Sequence, residues 1–280
     1  SATRALGNDA RGVGGVWAPE GRVAGGTASP FPATMILRRR QNAPIPMYNP
    51  THFQEHRPQL IRELVDRHPL ATLVLHGPDG LQANHVPMLW RGEGLDGCLQ
   101  GHIARANKIW QLPGAGDADT DGESNDLPAL AIFQAGEGYV SPSWYPSKRE
   151  HGKVVPTWNY AVVHVHGRLR FIHDPAWLEA FLASLTDRHE AGRSQPWRVT
   201  DAPADYRQAQ YRAIVGLELR IERIEAKFKL SQNRGTSDYA GVMAGLGDEN
   251  RARALELRAW MQRHVGEPVK ARRGTGPADG

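Results

Sequence analysis

Between Ala161 and Ile172, two histidines and two arginines alternate with apolar residues. On a strand, successive side chains point to opposite sides. Val163, Val165, Gly167, Leu169 and Phe171 therefore share one face, and His164, His166, Arg168 and Arg170 share the other. One face packs and the other is equipped to bind. Directly upstream, Val155, Pro156, Thr157, Trp158, Asn159 and Tyr160 add an indole, a phenol and an amide. Such groups on one sheet suit a planar anionic ligand better than a core, because a desolvated polar group without a partner costs free energy.

The pair His164 and His166 has the spacing to hold a metal together with His85 or His102 from neighbouring strands. Carboxylates near them in sequence are scarce, and the lone cysteine, Cys98, cannot form a cluster. The reading adopted is hydrogen-bonded histidines lining a cavity, with no metal; haem ligation by one of them is the lesser alternative. The run Asp117, Asp119, Asp121, Gly122 resembles the start of a calcium loop, but the twelfth position is Pro128, and the segment reads as a solvated acidic loop.

Three further segments carry polar or aromatic groups suited to a ligand. Gly101 to Lys108 ends a strand and opens a short helix, so Arg105, Asn107 and Lys108, with backbone N–H groups, have the makings of a phosphate cradle or of an ordinary exposed turn. Tyr139 to Lys148 gathers Tyr139, Trp144 and Tyr145 with three serines, and Pro142 and Pro146 make it a loop rather than a core element. Lys227 to Arg234 offers Ser231, Gln232 and Asn233 as partners for a heterocycle edge. There is no Gly-x-Ser-x-Gly elbow, phosphate-binding Walker loop, dinucleotide glycine motif or His-Glu-x-x-His helix, which leaves hydrolase and kinase readings without support.

The elements that must position these groups are mostly short strands. Pro58–Arg67 has helical apolar spacing and stops at His68 and Pro69. Leu70–His76 and Leu81–Trp90 flank Gly77, Pro78, Asp79 and Gly80 as a hairpin, and Leu95–Ile103, Ala129–Phe133 and Gly138–Ser141 read as further strands. Asp174 and Pro175 start a helix bearing Trp177, Leu178, Phe181 and Leu182. A second helix is expected over Pro203–Ala213, a late strand around Leu217–Ile221 and a terminal helix over Asp248–Val265. Six or more such strands favour an antiparallel barrel over a doubly wound parallel sheet.

Composition sets the remaining bounds. At 280 residues, 40% hydrophobic and 23% charged, the chain can bury a sizeable core. No run is long and apolar enough to span a bilayer, no secretory h-region is visible, and a cytoplasmic location is expected. The net charge of +4 divides unevenly: residues 1–46 and 251–280 each carry +4, and residues 47–250 carry −4. Direct DNA binding by the body is unsupported on that balance, though a basic tail could contribute. Residues 1–46, rich in Gly, Ala, Pro and Arg, are expected to be a disordered extension, with Met47 as the natural start of the folded chain.

Taken in order, Met47-Tyr-Asn-Pro-Thr-His-Phe, Ala83-Asn-His-Val-Pro, Gly101-His-Ile-Ala-Arg-Ala-Asn, Tyr139-Val-Ser-Pro-Ser-Trp-Tyr, Val155-Pro-Thr-Trp-Asn-Tyr, Pro196-Trp and Lys229-Leu-Ser-Gln-Asn resemble the PaiB family, the FMN-binding negative transcriptional regulators. The resemblance covers residues 47–246. It implies a mainly β fold with α insertions, an antiparallel, Greek-key-like FMN-binding split barrel built as a homodimer, and a C-terminal helix and tail over 247–280. It further implies noncovalent FMN at the subunit interface and repression of sporulation and degradative-enzyme genes in a Bacillus relative, with DNA as a possible partner. On that resemblance Arg105, Asn107 and Lys108 are expected at the phosphate, and Asn84, His85 and His102 at the ribityl chain and adjacent ring edge. Trp144, Trp158 and Asn159, from the partner subunit or the opposite wall, are expected at the isoalloxazine, with Gln232 and Asn233 closing the site. A flavin oxidoreductase using NAD(P)H and a haem-handling protein are the alternatives, and no catalytic residue is assigned.

Overall fold

The computed structural model describes residues 46–113 and 126–265. The expectations placed on residues 1–45, on most of the acidic loop and on the last fifteen residues lie outside the described residues.

Seven antiparallel strands form one sheet in the order β2-β1-β5-β6-β7-β4-β3. They are β1 (Leu70–Gly77), β2 (Gly80–Pro87), β3 (Leu89–Arg91), β4 (Cys98–Ala104), β5 (Leu127–Val140), β6 (Thr157–Ile172) and β7 (Ile214–Lys229). The two ends of that order, β2 and β3, are consecutive in the chain and separated only by Met88, so the sheet curls until its edges share one segment. Leu81–Trp90, expected as a single strand, is thus two. Pro87 has no N–H to extend the β1 ladder, and the Met88 N–H turns instead to the Pro69 carbonyl at 2.8 Å.

The hairpin turn falls where the glycines placed it, with Gly77 paired to Gly80. The two short strands expected at 129–133 and 138–141 are one strand, β5, bent by an irregularity between Ala135 and Gly138. The late strand is three times longer than its apolar alternation suggested, because β7 pairs with β4 along its first half and with β6 from Gly216 to Lys229. At the β6–β7 bulge, a Cβ on Gly167 would stand 1.9 Å from the Arg220 carbonyl oxygen, so only glycine fits there.

The inward faces build the core from Leu73, Leu75, Leu99, Phe133, Val163, Val165, Leu169, Leu217 and Leu219, all at or below 1% exposure. Helix α1 (Pro58–Arg67) adds Ile61, Leu64 and Val65 to the same cluster. The remaining helices are α2 (Ser147–His151), α3 (Pro175–Glu190), α4 (Ala204–Arg212), α5 (Thr236–Glu249) and α6 (Ala252–Val265). Asp174 caps α3 by accepting from the Ala176 N–H, as expected.

The expected terminal helix is only the second of a pair. Asn250 takes a left-handed φ of 47° and separates α5 from α6, and the boundary expected at residue 246 falls inside α5. Leu257, Trp260 and Met261 of α6 are fully buried, and Trp260 meets Phe228 edge-on at 5.7 Å.

Candidate functional site

The groups singled out in the sequence gather at two places near opposite ends of β6. At its C-terminal end lies a polar cluster around the loop after β4. Asn107 Nδ2 donates to Asn84 Oδ1 at 2.7 Å, and Asn107 Oδ1 caps the following 3₁₀ turn through the Ile109 N–H. The Asn84 side chain thereby ties β2 to that loop.

Arg105 is held on three sides within the chain. Its Nε donates to the Arg212 carbonyl at 2.8 Å, one terminal nitrogen donates to the Ile214 carbonyl at 3.0 Å, and the other lies 3.4 Å from His173 Nδ1. Trp110 stands between Arg105 and Lys108, with the two cations 5.6 and 5.9 Å from its ring, and its indole N–H returns to the Arg105 carbonyl. Of the three basic-loop side chains, Lys108 is the exposed one.

His102 and His85 do not share a surface patch. Alternation on β4 turns His102 away from the core, but α3 covers it, with the Phe181 ring 5.9 Å from the imidazole. Burial lowers the His102 pKa, which keeps the ring neutral near neutrality, and its Nδ1 is buried without a partner. His85 is exposed on the outward face of β2.

At the N-terminal end of β6 the predicted residues divide between the two faces of the sheet. Trp158 is 56% exposed on the outer face, beside Tyr139 at 6.4 Å, whereas Asn159 is 1% exposed on the inner face. There Asn159 Nδ2 donates to Ser231 Oγ at 2.7 Å, and Ser231 is one of two described non-glycine residues with positive φ. Gln232 folds back on its own strand end, accepting from the Leu230 N–H and donating to the Phe228 carbonyl. Asn233 is exposed beside it. Trp144 docks on α5: a Cβ on Gly245 would lie 2.3 Å from its indole, so the glycine of that helix makes the seat for the ring.

Between the two ends runs an outward ladder that is half-buried and basic. Register aligns His85, Thr72, Ile132, His164 and Glu225 across five strands, and Ala83, Val74, Leu130, His166 and Arg223 in the next row. Along β6 and β7 the same surface carries Arg168, Arg170, Arg220, Arg223, Lys227 and Lys229 against Glu218, Glu222 and Glu225. Lys227 lies between the Tyr48 and Tyr160 rings at 5.2 and 5.6 Å and donates to the Tyr48 carbonyl, pinning the segment before α1 to β7. Apolar area framed by cations suits an aromatic anion.

Residues 47–223 match the family described as "Putative FMN-binding domain". The chain belongs to this PaiB-like FMN-binding family. A relative from Bacillus subtilis named protease synthase and sporulation protein PAI 2 is 28% identical over 77% of this chain and 97% of its own length. An uncharacterised protein of Aspergillus fumigatus is 30% identical over 69% of this chain and 88% of its own. Among solved structures, an FAD and haem binding protein from Mycobacterium smegmatis aligns with 66% of this chain and 77% of its own at 22% identity and a TM-score of 0.43.

Within the family domain, the two clusters lie toward opposite ends of β6. Asn159 and Ile172 are separated by about 43 Å of strand path at about 3.3 Å per residue. The structure brings Asn84, Arg105, Asn107 and Lys108 together at one end and Trp158, Asn159 and the Ser231–Asn233 turn together at the other. Among the described residues, no hydrogen bond or ring contact links the two sets. Sequence reasoning missed Glu225, whose only signal was its place opposite His164 in a strand longer than the alternation revealed. No described helix is long and apolar enough to cross a membrane.

Proposed function

We propose that this chain binds FMN noncovalently in a groove completed by a second copy of itself, and that it acts in the cytoplasm as a PaiB-like negative transcriptional regulator. The observation that carries the reading is the distribution of the candidate contacts over the two ends of one 16-residue strand. A two-fold arrangement of two chains sets the loop end of one against the aromatic end of the other. The flavin phosphate then meets Lys108 and the Asn84–Asn107 pair, with Arg105 positioning the loop through its carbonyl contacts. His85, exposed on β2, lies toward the ribityl chain while His102 stays packed under α3, and Trp158 of the other copy offers its exposed indole to the isoalloxazine. Trp144, Asn159, Gln232 and Asn233 shape that wall. When bound, the flavin supplies redox chemistry; the chain's own residues bind and orient it.

The regulator reading rests on membership of the family and on the name of the Bacillus relative. Because residues 47–250 carry −4, contact with DNA in this reading is local or runs through the basic tails. FMN fluorescence quenching on titration with the purified chain, read beside sedimentation, tests the first part: one FMN per chain and a dimeric species are expected. A colourless monomer that leaves added FMN fluorescent would refute it. Anaerobic NADPH tests the second: an unbleached flavin with FMN-dependent gel retardation of DNA supports a regulator, and rapid bleaching assigns an oxidoreductase instead.

A further inference from the structure

The middle of the outward ladder holds a constellation that the flavin reading does not use. His164 and His166 stand two residues apart on the same face of β6, and the register sets Glu225 of β7 directly across from His164. One ligand-capable atom from each lies within 4.8 Å of the other two. His166 Nε2 already sits 2.9 Å from Glu225 Oε2, and both side chains are partly shielded from solvent. We propose that His164, His166 and Glu225 form a binding site for a divalent first-row transition cation, with zinc as its simplest occupant. This proposal is independent of flavin binding.

The donor set is chemically suited to such an ion. Two imidazoles and a carboxylate on three corners leave a fourth open to water, an arrangement that borderline cations favour over calcium or magnesium. With bonds of about 2.0–2.1 Å, neighbouring ligands around a tetrahedral ion are about 3.3 Å apart. The His166–Glu225 separation needs little change to reach that spacing, and rotation of the half-buried His164 ring brings in the third ligand. Burial, aided by His166 and Arg223, lowers the His164 pKa, so its ring is neutral and able to ligate at neutral pH. Burial raises the Glu225 pKa, but hydrogen bonds from Arg223, the Met47 N–H and His166 outweigh it and keep the carboxylate ionised.

Arg223 marks the place a cation would take. Its guanidinium lies 2.6 Å from Glu225 Oε2, the same oxygen that faces His166, and the side chain is exposed enough to swing away. A bound dication would assume its role as counter-charge. Arg223 is therefore a competitor of the metal, a relation that hydrogen-bonded histidines without a metal function would not produce.

The test uses the untagged full chain, stripped with a chelator and titrated with zinc chloride by calorimetry at neutral pH in excess magnesium. One zinc per chain in the micromolar range or tighter is expected. His164→Ala and His166→Ala should each weaken binding about 30-fold or more, with unchanged thermal midpoints. Arg223→Gln should tighten it several-fold. His164→Gln keeps a polar side chain and probes the same ligand should the alanine variant fail to fold. Zinc affinity that is equal in the wild type and the His164→Ala/His166→Ala double variant would overturn the assignment, as would weaker binding by Arg223→Gln.

Discussion

The two ends of β6 use the same kinds of side chain for different ends. At the C-terminal end, Arg105 reaches backbone carbonyls on either side of Ala213, and Asn84 and Asn107 satisfy each other, leaving Lys108 facing solvent. At the N-terminal end, consecutive residues part company: Asn159 locks the interior while Trp158 stands out from it. Polar type alone does not mark a ligand contact. What matters is whether the chain's own backbone already provides the partner, because a satisfied buried group holds structure and an exposed indole or ammonium retains capacity for something else.

The largest effect expected is acid sensitivity through Glu55, a buried residue whose backbone N–H donates to the Ala226 carbonyl of β7 between the two ends. Burial pushes this carboxyl up, but hydrogen bonds from Arg57 and His264 overcome it and hold the pKa down to about 2, against an ordinary 4.5. A depressed carboxylate stabilises the fold above its unfolded pKa, and that contribution is lost as pH falls from about 4.5 through 2. The contribution is on the order of 3 kcal/mol. Thermal melts over that acid range should show a steep loss of stability, and Glu55→Gln should flatten it. At the C-terminal end, Arg105→Ala removes two carbonyl contacts of a partly exposed side chain, and an effect of about 1 kcal/mol is expected by the same melts at neutral pH. Equal losses from the two variants would remove the contrast.

The neighbouring pair at Trp158 and Asn159 separates folding from binding more finely. Asn159→Ala strands the Ser231 hydroxyl in a buried setting, and urea unfolding should show a cost of about 1–3 kcal/mol. Trp158→Ala should leave stability within about 0.5 kcal/mol. In FMN titrations, the loss of a stacking face should weaken affinity by about tenfold, equivalent to about 1.4 kcal/mol. An exposed Trp158 whose removal destabilises the fold without altering FMN affinity would make it part of the scaffold.

Local signals in the sequence gave away local structure. The Gly77–Gly80 turn, the Asp174 cap and the apolar spacing of α1 each rest on a few adjacent residues, and each sits where expected. Helix α5 was concealed because Gly241, Gly245 and Gly247 depress helix propensity, while the reason for Gly245 is the Trp144 ring packed on it from a distant loop. The alternation on β6 correctly separated a packed from a polar face, but it could not say that Glu225 stands opposite His164, since register is a property of two strands. The carboxylate that seemed missing from the neighbourhood of the histidines comes from a strand about sixty residues away in the chain. Family motifs identified the domain, whereas which motif residues face each other in the proposed two-chain groove is not written in the order of one sequence.

That groove gives the finest test of the two-ended reading. Lys108→Ala damages only the loop end and Trp158→Ala only the aromatic end, and each alone should weaken FMN binding at every site. If each site draws one end from each of two chains, a heterodimer carrying one variant per chain has both lesions in one site and none in the other. Co-expression with two different affinity tags isolates that species. FMN titration should then show wild-type affinity at about half of its sites, the ratio a two-fold interface dictates. If both ends served one site within a single chain, each chain of the heterodimer would carry its own lesion and no wild-type site would return. The fraction recovered, half or none, thus decides whether the separation along β6 is bridged by a partner, independently of how tightly either variant binds flavin on its own.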